Sequence, residues 1–268
     1  MTTTNRRGML RAGAGLAAGG ALAAGCAGTG GPTRPAATAA TAASTTRPDA
    51  SGHPVATARA APPPRAFPQH PVQITHGPRT RSAVALTFHG QGEPDLARRL
   101  LTEAERQGAR ITVLAVGSWL DEHPDLARRI LDGGHDLGNH TERHLAINAM
   151  SEADARTEIT GCADRLRRLT GSIGTWFRPS RARSASSLVT RLAREAGYPH
   201  VLSFDVDSLD YTRPGAPAVT RTVLDRVRAG SVVSLHFGYP DTVAALPAVL
   251  QELGRRGLRA VTTTELLS

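Results

Sequence analysis

The chain has 268 residues, of which 40% are hydrophobic and 21% charged, so it is long enough for one large folded domain with appended segments. Its formal net charge of +9 comes from arginine alone, because the sequence contains no lysine. The arginines are spread along the chain and aromatic residues make up only 4%, which disfavours nucleic-acid binding. The two cysteines, Cys26 and Cys162, lie in different contexts and indicate no disulfide framework. Cys162 is expected to be a small buried residue.

Residues 1–26 are typical of an export signal. The paired Arg6 and Arg7 resemble a twin-arginine signal, and the apolar run that follows at 12–24 is too short to span a bilayer comfortably. The segment ends in Leu-Ala-Ala-Gly-Cys, which resembles a bacterial lipobox. We therefore expect Cys26 to be lipidated and to anchor the exported protein to the outer face of the bacterial cell membrane. The alternative is a secreted protein with an unmodified Cys26.

Residues 27–74 are mostly Ala, Thr, Pro, Gly and Arg and have few large apolar side chains. Such a segment cannot bury enough surface to offset the entropy lost on ordering, so it is predicted to be a disordered linker. The folded domain is predicted to cover residues 75–268.

Within that domain, strand patterns alternate with helix patterns, which predicts an α/β fold with about seven parallel strands, closed as a barrel. The predicted strands are residues 83–88, 110–116, 135–138, 174–177, 200–206, 231–237 and 258–261. The predicted helices are residues 95–107, 118–131, 151–171, 187–196, 217–228 and 243–256.

Polar side chains with catalytic potential follow the predicted strands. They are His89, His140, Arg178, Asp207 and His236. The carboxyl ends of parallel strands share one rim in a barrel, so these groups are expected to converge. On a helical turn, His140 and a second histidine four residues later would lie on one face, a spacing that suits a transition metal.

Two other interpretations of that histidine pair are weaker. Proteases of the His-Glu-x-x-His type need a glutamate directly after the first histidine, where this chain has Thr141. The pair could also be two exposed histidines without a ligand, although convergence with the other strand ends argues against it.

Three short motifs that contain some of these residues carry the most information about function. Residues 140–144 are His-Thr-Glu-Arg-His, residues 207–211 are Asp-Ser-Leu-Asp-Tyr, and residues 234–236 are Ser-Leu-His. With them, residues 82–267 resemble the polysaccharide deacetylases of the NodB-homology type, carbohydrate esterase family 4. The resemblance implies a distorted (β/α) barrel in which His140 and His144 bind a metal. It also implies that His236 is the catalytic acid.

Two family motifs are altered. The family has Thr-Phe-Asp-Asp-Gly, whose first Asp is the base and whose second is a metal ligand, whereas residues 87–91 are Thr-Phe-His-Gly-Gln. His89 therefore stands in the base position, and Gly90 has no side chain to bind a metal. The third motif keeps Arg178, but residues 180–182 are Ser-Arg-Ala in place of the family's Pro, aromatic residue and Gly.

Hydrolysis of an acetamide needs an activated water, charge stabilisation on the carbonyl oxygen and a proton for the departing amine. A divalent metal supplies the first two, and two neutral imidazoles suit Zn²⁺, which usually has three protein ligands in catalytic sites. The third ligand could be His89, a carboxylate from Glu93 or Asp95, or missing. If His89 binds the metal, the sequence offers no evident replacement base.

The remaining predicted roles concern the leaving group and the groove. Asp207 is expected to favour the protonated form of the acid His236, and Arg178 is expected to orient whatever occupies the base position. Asp210 and Tyr211 are expected to line the groove.

These features predict a monomeric metal-dependent hydrolase that removes N-acetyl groups from a cell-envelope polysaccharide, either peptidoglycan or a chitin-like glycan. Its expected partners are the polysaccharide and, through lipidated Cys26, the membrane; no nucleic acid is expected. The alternative is a catalytically impaired, lipid-anchored glycan-binding pseudoenzyme of the same fold. A minor possibility is hydrolysis of another amide or ester.

Overall fold

The computed structural model describes residues 61–268. Helices and short strands alternate along this part of the chain, which confirms the predicted α/β fold. The strands are β1 (Gln73–Ile74), β2 (Ala83–Gly90), β3 (Thr112–Ala115), β4 (Asp136–Asn139), β5 (Val201–Leu202), β6 (Val206–Asp207), β7 (Val232–His236) and β8 (Arg259–Val261). The helices are α1 (Pro94–Arg106), α2 (Gly117–Glu122), α3 (Pro124–Asp132), α4 (Glu152–Thr170), α5 (Ser187–Glu195), α6 (Ala216–Leu224), α7 (Pro240–Arg255) and α8 (Thr263–Leu267).

All pairs between these strands are parallel. The order is β4-β3-β2-β7-β6, and β8 pairs with the amino-terminal half of β2. A second pair, β1 and β5, is connected to β4 by single bridges that Phe177 makes to Asn139 and Val201. Among the described strands, hydrogen bonds do not connect every neighbouring pair around the barrel, so the predicted barrel is only partly closed by strand pairing.

The alternation of side chains along β2 separates two parts of the core and positions the site. Leu86 and Phe88 pack in the main hydrophobic cluster, which includes apolar residues of α1 and α7. Ala83 and Ala85 belong to a different cluster, on the other face of the strand. Because strand side chains alternate between faces, His89 continues the face of Ala83 and Ala85 at the carboxyl end of the strand.

Three predicted elements differ from the structure. The helix predicted at 118–131 is divided into α2 and α3, because Pro124 lacks an N–H and begins a new helix. The strand predicted at 200–206 is two strands with different partners, β1 for β5 and β7 for β6. The strand predicted at 174–177 is reduced to the isolated bridges of Phe177.

The packed domain begins before residue 75, where the sequence placed its start. Phe67 is 8% exposed and stacks on Trp176 with ring centroids 5.5 Å apart, and Ile74 is fully buried in β1. A single aromatic residue in a proline-rich stretch has no periodicity, so the sequence pattern missed this contact.

Several expectations concern residues before 61. The export signal, lipidation at Cys26 and residues 27–60 of the linker lie outside the described residues. Between residues 61 and 268, no helix is both long and apolar enough to cross a membrane. Cys162 is buried and free, as predicted.

Candidate active site

Neighbouring strands bring two of the predicted residues side by side. His89 and His236 are direct partners in the parallel pairing of β2 with β7. Partner residues of adjacent strands project to the same side of a sheet, and the two ring centroids are 4.3 Å apart. His140 follows β4 directly, and its ring centroid lies 4.1 Å from that of His89. The predicted convergence of these three histidines at one end of the sheet is therefore present.

The turn between His140 and His144 is not helical, contrary to the expectation from their spacing. Thr141 and His144 both have left-handed backbone, with φ of 70° and 56°. Non-glycine residues adopt this region only where their surroundings hold them there. The Asn139 side chain accepts a hydrogen bond from the Thr141 backbone N–H at 2.8 Å, and Thr141 Oγ1 accepts one from the His144 N–H at 3.2 Å. Side-chain hydrogen bonds therefore replace helical ones and aim both imidazoles at one point.

Ion pairs attach this turn to helix α4. Arg143 Nε donates to the buried carboxylate of Glu158 at 2.7 Å, and Arg165 Nη2 donates to Glu142 at 2.5 Å. A turn held at two consecutive residues keeps the histidines in place before any ligand binds.

Three histidines form a cluster with the donor set of a metal site. One ring nitrogen from each of His89, His140 and His144 lies within 4.8 Å of the others. Both ring nitrogens of His89 and the Nε2 of His140 are buried and have no hydrogen-bond partner. Buried polar atoms without a partner are costly, so this arrangement fits a bound cation.

The protonation state of the cluster also fits a metal. Burial is the main cause that lowers the pKa of His89 and of His140 well below 6.5. Burial, and then the charge of Arg181, lower the pKa of His144 to about 4. All three imidazoles are therefore neutral at pH 7, as metal ligands must be. His140 Nδ1 donates to the Arg178 carbonyl at 3.0 Å, which directs its Nε2 into the cluster.

The other candidates for a third ligand do not join this cluster. Asp95 is exposed and pairs with Arg98 at 3.0 Å, and Glu93 is also exposed. At Gly90 an added Cβ would lie 2.9 Å from the Val113 side chain, among the apolar residues of the main cluster. Position 90 therefore faces away from the three histidines.

His236 is paired with Asp210, not with Asp207 as the sequence suggested. Its ring Nδ1 lies 2.6 Å from Asp210 Oδ1, and its backbone N–H donates to Oδ2 at 2.8 Å. Thr242 donates to the same Oδ2 at 2.6 Å, and the carboxylate is fully buried. Asp207 instead accepts a hydrogen bond from the Leu209 N–H and lines the cavity. The position of Asp210 therefore corrects both its predicted groove-lining role and the predicted partner of His236.

Arg178, expected to orient the residue in the base position, is fully buried. Its Nε and Nη2 donate to the carbonyls of Leu202 and Ser203 at 3.1 and 3.0 Å, whereas Nη1 has no partner. Burial lowers its pKa to about 9, and the charge of Asp207 partly opposes this shift. Its charge contributes to the low pKa of His89, so it acts on the cluster through its field.

A cavity of about 770 Å³ opens at this end of the sheet. Its lining includes His89, His144 and His236, so the histidine cluster and the His236–Asp210 pair serve one space. Tyr211, predicted to line the groove, does so and is 46% exposed. Three arginines that the sequence did not single out also line it: Arg181, Arg183 and Arg213.

Comparisons with known proteins agree with this geometry. Residues 76–201 match the sequence model of a family described as polysaccharide deacetylase. The chain is 31% identical over 194 residues to a peptidoglycan-N-acetylglucosamine deacetylase of Bacillus cereus, covering 71% of this chain and 90% of the relative. It is 29% identical over 201 residues to a chitooligosaccharide deacetylase of a Bradyrhizobium species, covering 66% and 87%.

Among solved structures, a pseudoenzyme of carbohydrate esterase family 4 from Bacillus anthracis superposes with a TM-score of 0.70 at 23% identity. The match covers 74% of this chain and 70% of that one. At this identity the likeness establishes a shared fold and nothing about activity.

Proposed function

Because the chain belongs to the polysaccharide deacetylase family, we propose that it is a metal-dependent hydrolase that removes N-acetyl groups from a cell-envelope polysaccharide. The observation that carries this proposal is the cluster of three neutral, partly unpaired histidines beside a carboxylate-bound histidine in one cavity. The named relatives act on peptidoglycan N-acetylglucosamine and on chitooligosaccharides, which supports an N-acetylated glycan as the substrate.

The metal is proposed to be Zn²⁺, held by His89, His140 and His144. Three neutral imidazoles are a known donor set of catalytic zinc sites. When bound there, the ion would supply Lewis-acid activation of a water molecule and of the acetamide carbonyl. This assignment places His89 among the ligands, one of the roles that the sequence left open, and leaves the base position without a separate residue.

We assign both proton transfers to His236. Its Nδ1 is held by Asp210, so Nε2 is the nitrogen available to the cavity. The imidazole takes a proton from the attacking water as the C–O bond forms. It then delivers that proton to the nitrogen as the C–N bond breaks, which releases acetate and a free amine. A carboxylate-oriented histidine performs the same two transfers in serine proteases.

Asp210 stabilises the imidazolium between the two transfers. Its second oxygen is occupied by the His236 N–H and the Thr242 hydroxyl, which fixes the carboxylate in one orientation. The positive charge of Arg178 is proposed to help keep His89 neutral by lowering its pKa. Asp207 and Tyr211 line the cavity and are proposed to contact the sugar.

The second candidate is a glycan-binding protein of the same fold that does not turn over substrate. It is favoured by one observation, the loss of both first-motif carboxylates at His89 and Gly90. The two candidates differ in acetate release by the zinc-loaded protein from a tetrasaccharide of alternating N-acetylglucosamine and N-acetylmuramic acid. Release that stops in His236→Ala while the tetrasaccharide still binds supports the hydrolase. Binding without acetate release in the wild type supports the pseudoenzyme.

We also propose that the protein is exported and anchored through lipidated Cys26, on the basis of residues 1–26. Metabolic labelling with a fatty acid should mark the wild type and leave Cys26→Ser unlabelled. Equal absence of label in both would indicate a secreted protein with an unmodified cysteine.

A further inference from the structure

The rim of the catalytic cavity has an unbalanced positive charge. Arg181, Arg183 and Arg213 line it, and Asp207 is the one carboxylate among its lining residues in the described part of the chain. Elsewhere on the described surface many arginines are paired with carboxylates, as Arg191 is with Glu152 and Glu195.

These rim arginines have no such partners. Neither Arg181 nor Arg213 takes part in a salt bridge within residues 61–268. Arg183 makes only long hydrogen bonds, of 3.3 and 3.4 Å, to backbone carbonyls, and its guanidinium lies over the Phe204 ring. Arg213 lies over the Tyr239 ring at 5.8 Å. No carboxylate of the described chain therefore neutralises these three guanidiniums, which can pair with an anion that enters the cavity.

The backbone holds two of these arginines in conformations that a side chain rarely adopts. Arg181 and Arg213 have φ of 52° and 55°. The other non-glycine residues with positive φ in the described chain, Thr141, His144 and Leu209, also lie in loops at this end of the sheet. Strain of this kind persists only when the surrounding structure maintains it, so the backbone at both arginines is a defined part of the rim.

The location of Arg181 relates the charge to the reacting centre. Arg181 and His144, one of the three clustered histidines, line the same cavity, so this arginine faces the space in which the acetamide must sit. A planar guanidinium pairs with a carboxylate through two parallel hydrogen bonds, a geometry that also fixes direction. Three such groups against one carboxylate would favour an anionic sugar and disfavour a neutral one.

We propose that the rim formed by Arg181, Arg183 and Arg213 binds a carboxylate on the glycan, so that the substrate is a carboxylate-bearing N-acetylated polysaccharide rather than a neutral one. In peptidoglycan strands from which the stem peptide has been removed, that group is the lactyl carboxylate of N-acetylmuramic acid. The inference rests on the proposed function for its location and adds the charge of the sugar to it.

The test compares two ligands that differ in the charge of the lactyl group, a carboxylate in one and a neutral methyl ester in the other. A tetrasaccharide of alternating N-acetylglucosamine and N-acetylmuramic acid with free carboxylates is titrated into the purified full chain by calorimetry, beside its lactyl methyl ester. The wild type should bind the acid about tenfold more tightly than the ester, and added salt should reduce that preference.

Two rim variants and one matched control localise the effect. Arg181→Gln and Arg213→Gln should each lower the preference for the acid about threefold or more and leave binding of the ester unchanged. Arg168→Gln removes the same charge from an exposed position on α4 outside the cavity and should leave both affinities unchanged.

Equal binding of acid and ester by the wild type would overturn the proposal. The proposal would also be overturned if Arg168→Gln lowered the preference for the acid as much as the two rim variants do. Because the readout is binding, it is independent of turnover. A wild type that prefers the acid but never releases acetate would refute the hydrolase and retain the carboxylate site.

Discussion

Lowering the pH from 7.5 to 5.5 should scarcely change the affinity of the histidine cluster for Zn²⁺. At pH 5.5 an ordinary histidine with a pKa near 6.5 is about 90% protonated, so protons weaken metal binding about tenfold at each such ligand. A site made of three ordinary histidines would lose about a thousandfold in affinity.

The buried cluster behaves differently because its pKa values are lowered. With a pKa of about 4, His144 is only about 3% protonated at pH 5.5, and the pKa values of His89 and His140 also lie well below 6.5. Protonation of His144 should therefore weaken binding by only a few per cent, and His89 and His140 should each contribute far less than the roughly tenfold effect of an ordinary histidine. Protonation should begin to compete only as the pH falls toward the folded-state pKa of His144.

The assay is competition for Zn²⁺ between the tag-free protein and a chelating dye whose affinity is known at each pH. A loss of a hundredfold or more between pH 7.5 and 5.5 would contradict the burial argument, because it would mean that the histidines titrate as exposed ones do.

The remaining predictions concern single substitutions. Gly90→Asp should lower the free energy of unfolding in urea by about 1–3 kcal/mol, because its Cβ would lie 3.1 Å from the Ala115 Cα. The substitution should not tighten zinc binding. Unchanged stability together with tighter zinc binding would show that position 90 faces the three histidines. Asp210→Asn should lower kcat for acetate release by about a hundredfold or more with zinc affinity retained, so a wild-type kcat would remove the carboxylate from the mechanism. Phe67→Ala should cost about 3 kcal/mol through lost packing on Trp176, whereas a neutral effect would place Phe67 outside the folded core.

The strand ends were predictable because they depend on local patterns. Strand residues alternate with period two, and glycine and proline mark the ends of elements, so His89, His140 and His236 could be placed at one rim. The direct pairing of His89 with His236 could not be derived, because it depends on which strands become neighbours and in what register.

The errors arose where loops reverse direction. Asp207 ends a strand as predicted, but Leu209, with φ of 58°, turns the chain so that Asp210 contacts His236. The spacing of the motif identified both aspartates without indicating which one returns to the histidine. Likewise, a single residue such as Arg181 in an irregular segment has no periodicity from which its direction can be inferred.

The central claim is that three histidines hold the metal, and the metal content of the purified protein tests it most directly. After zinc loading and desalting, elemental mass spectrometry should find about one Zn²⁺ per wild-type chain and far less in His89→Ala and His140→Ala. His236→Ala, which alters a neighbouring histidine outside the cluster, should retain the ion. A wild type without zinc, or a His89→Ala variant that binds it as tightly as the wild type, would contradict the three-histidine site.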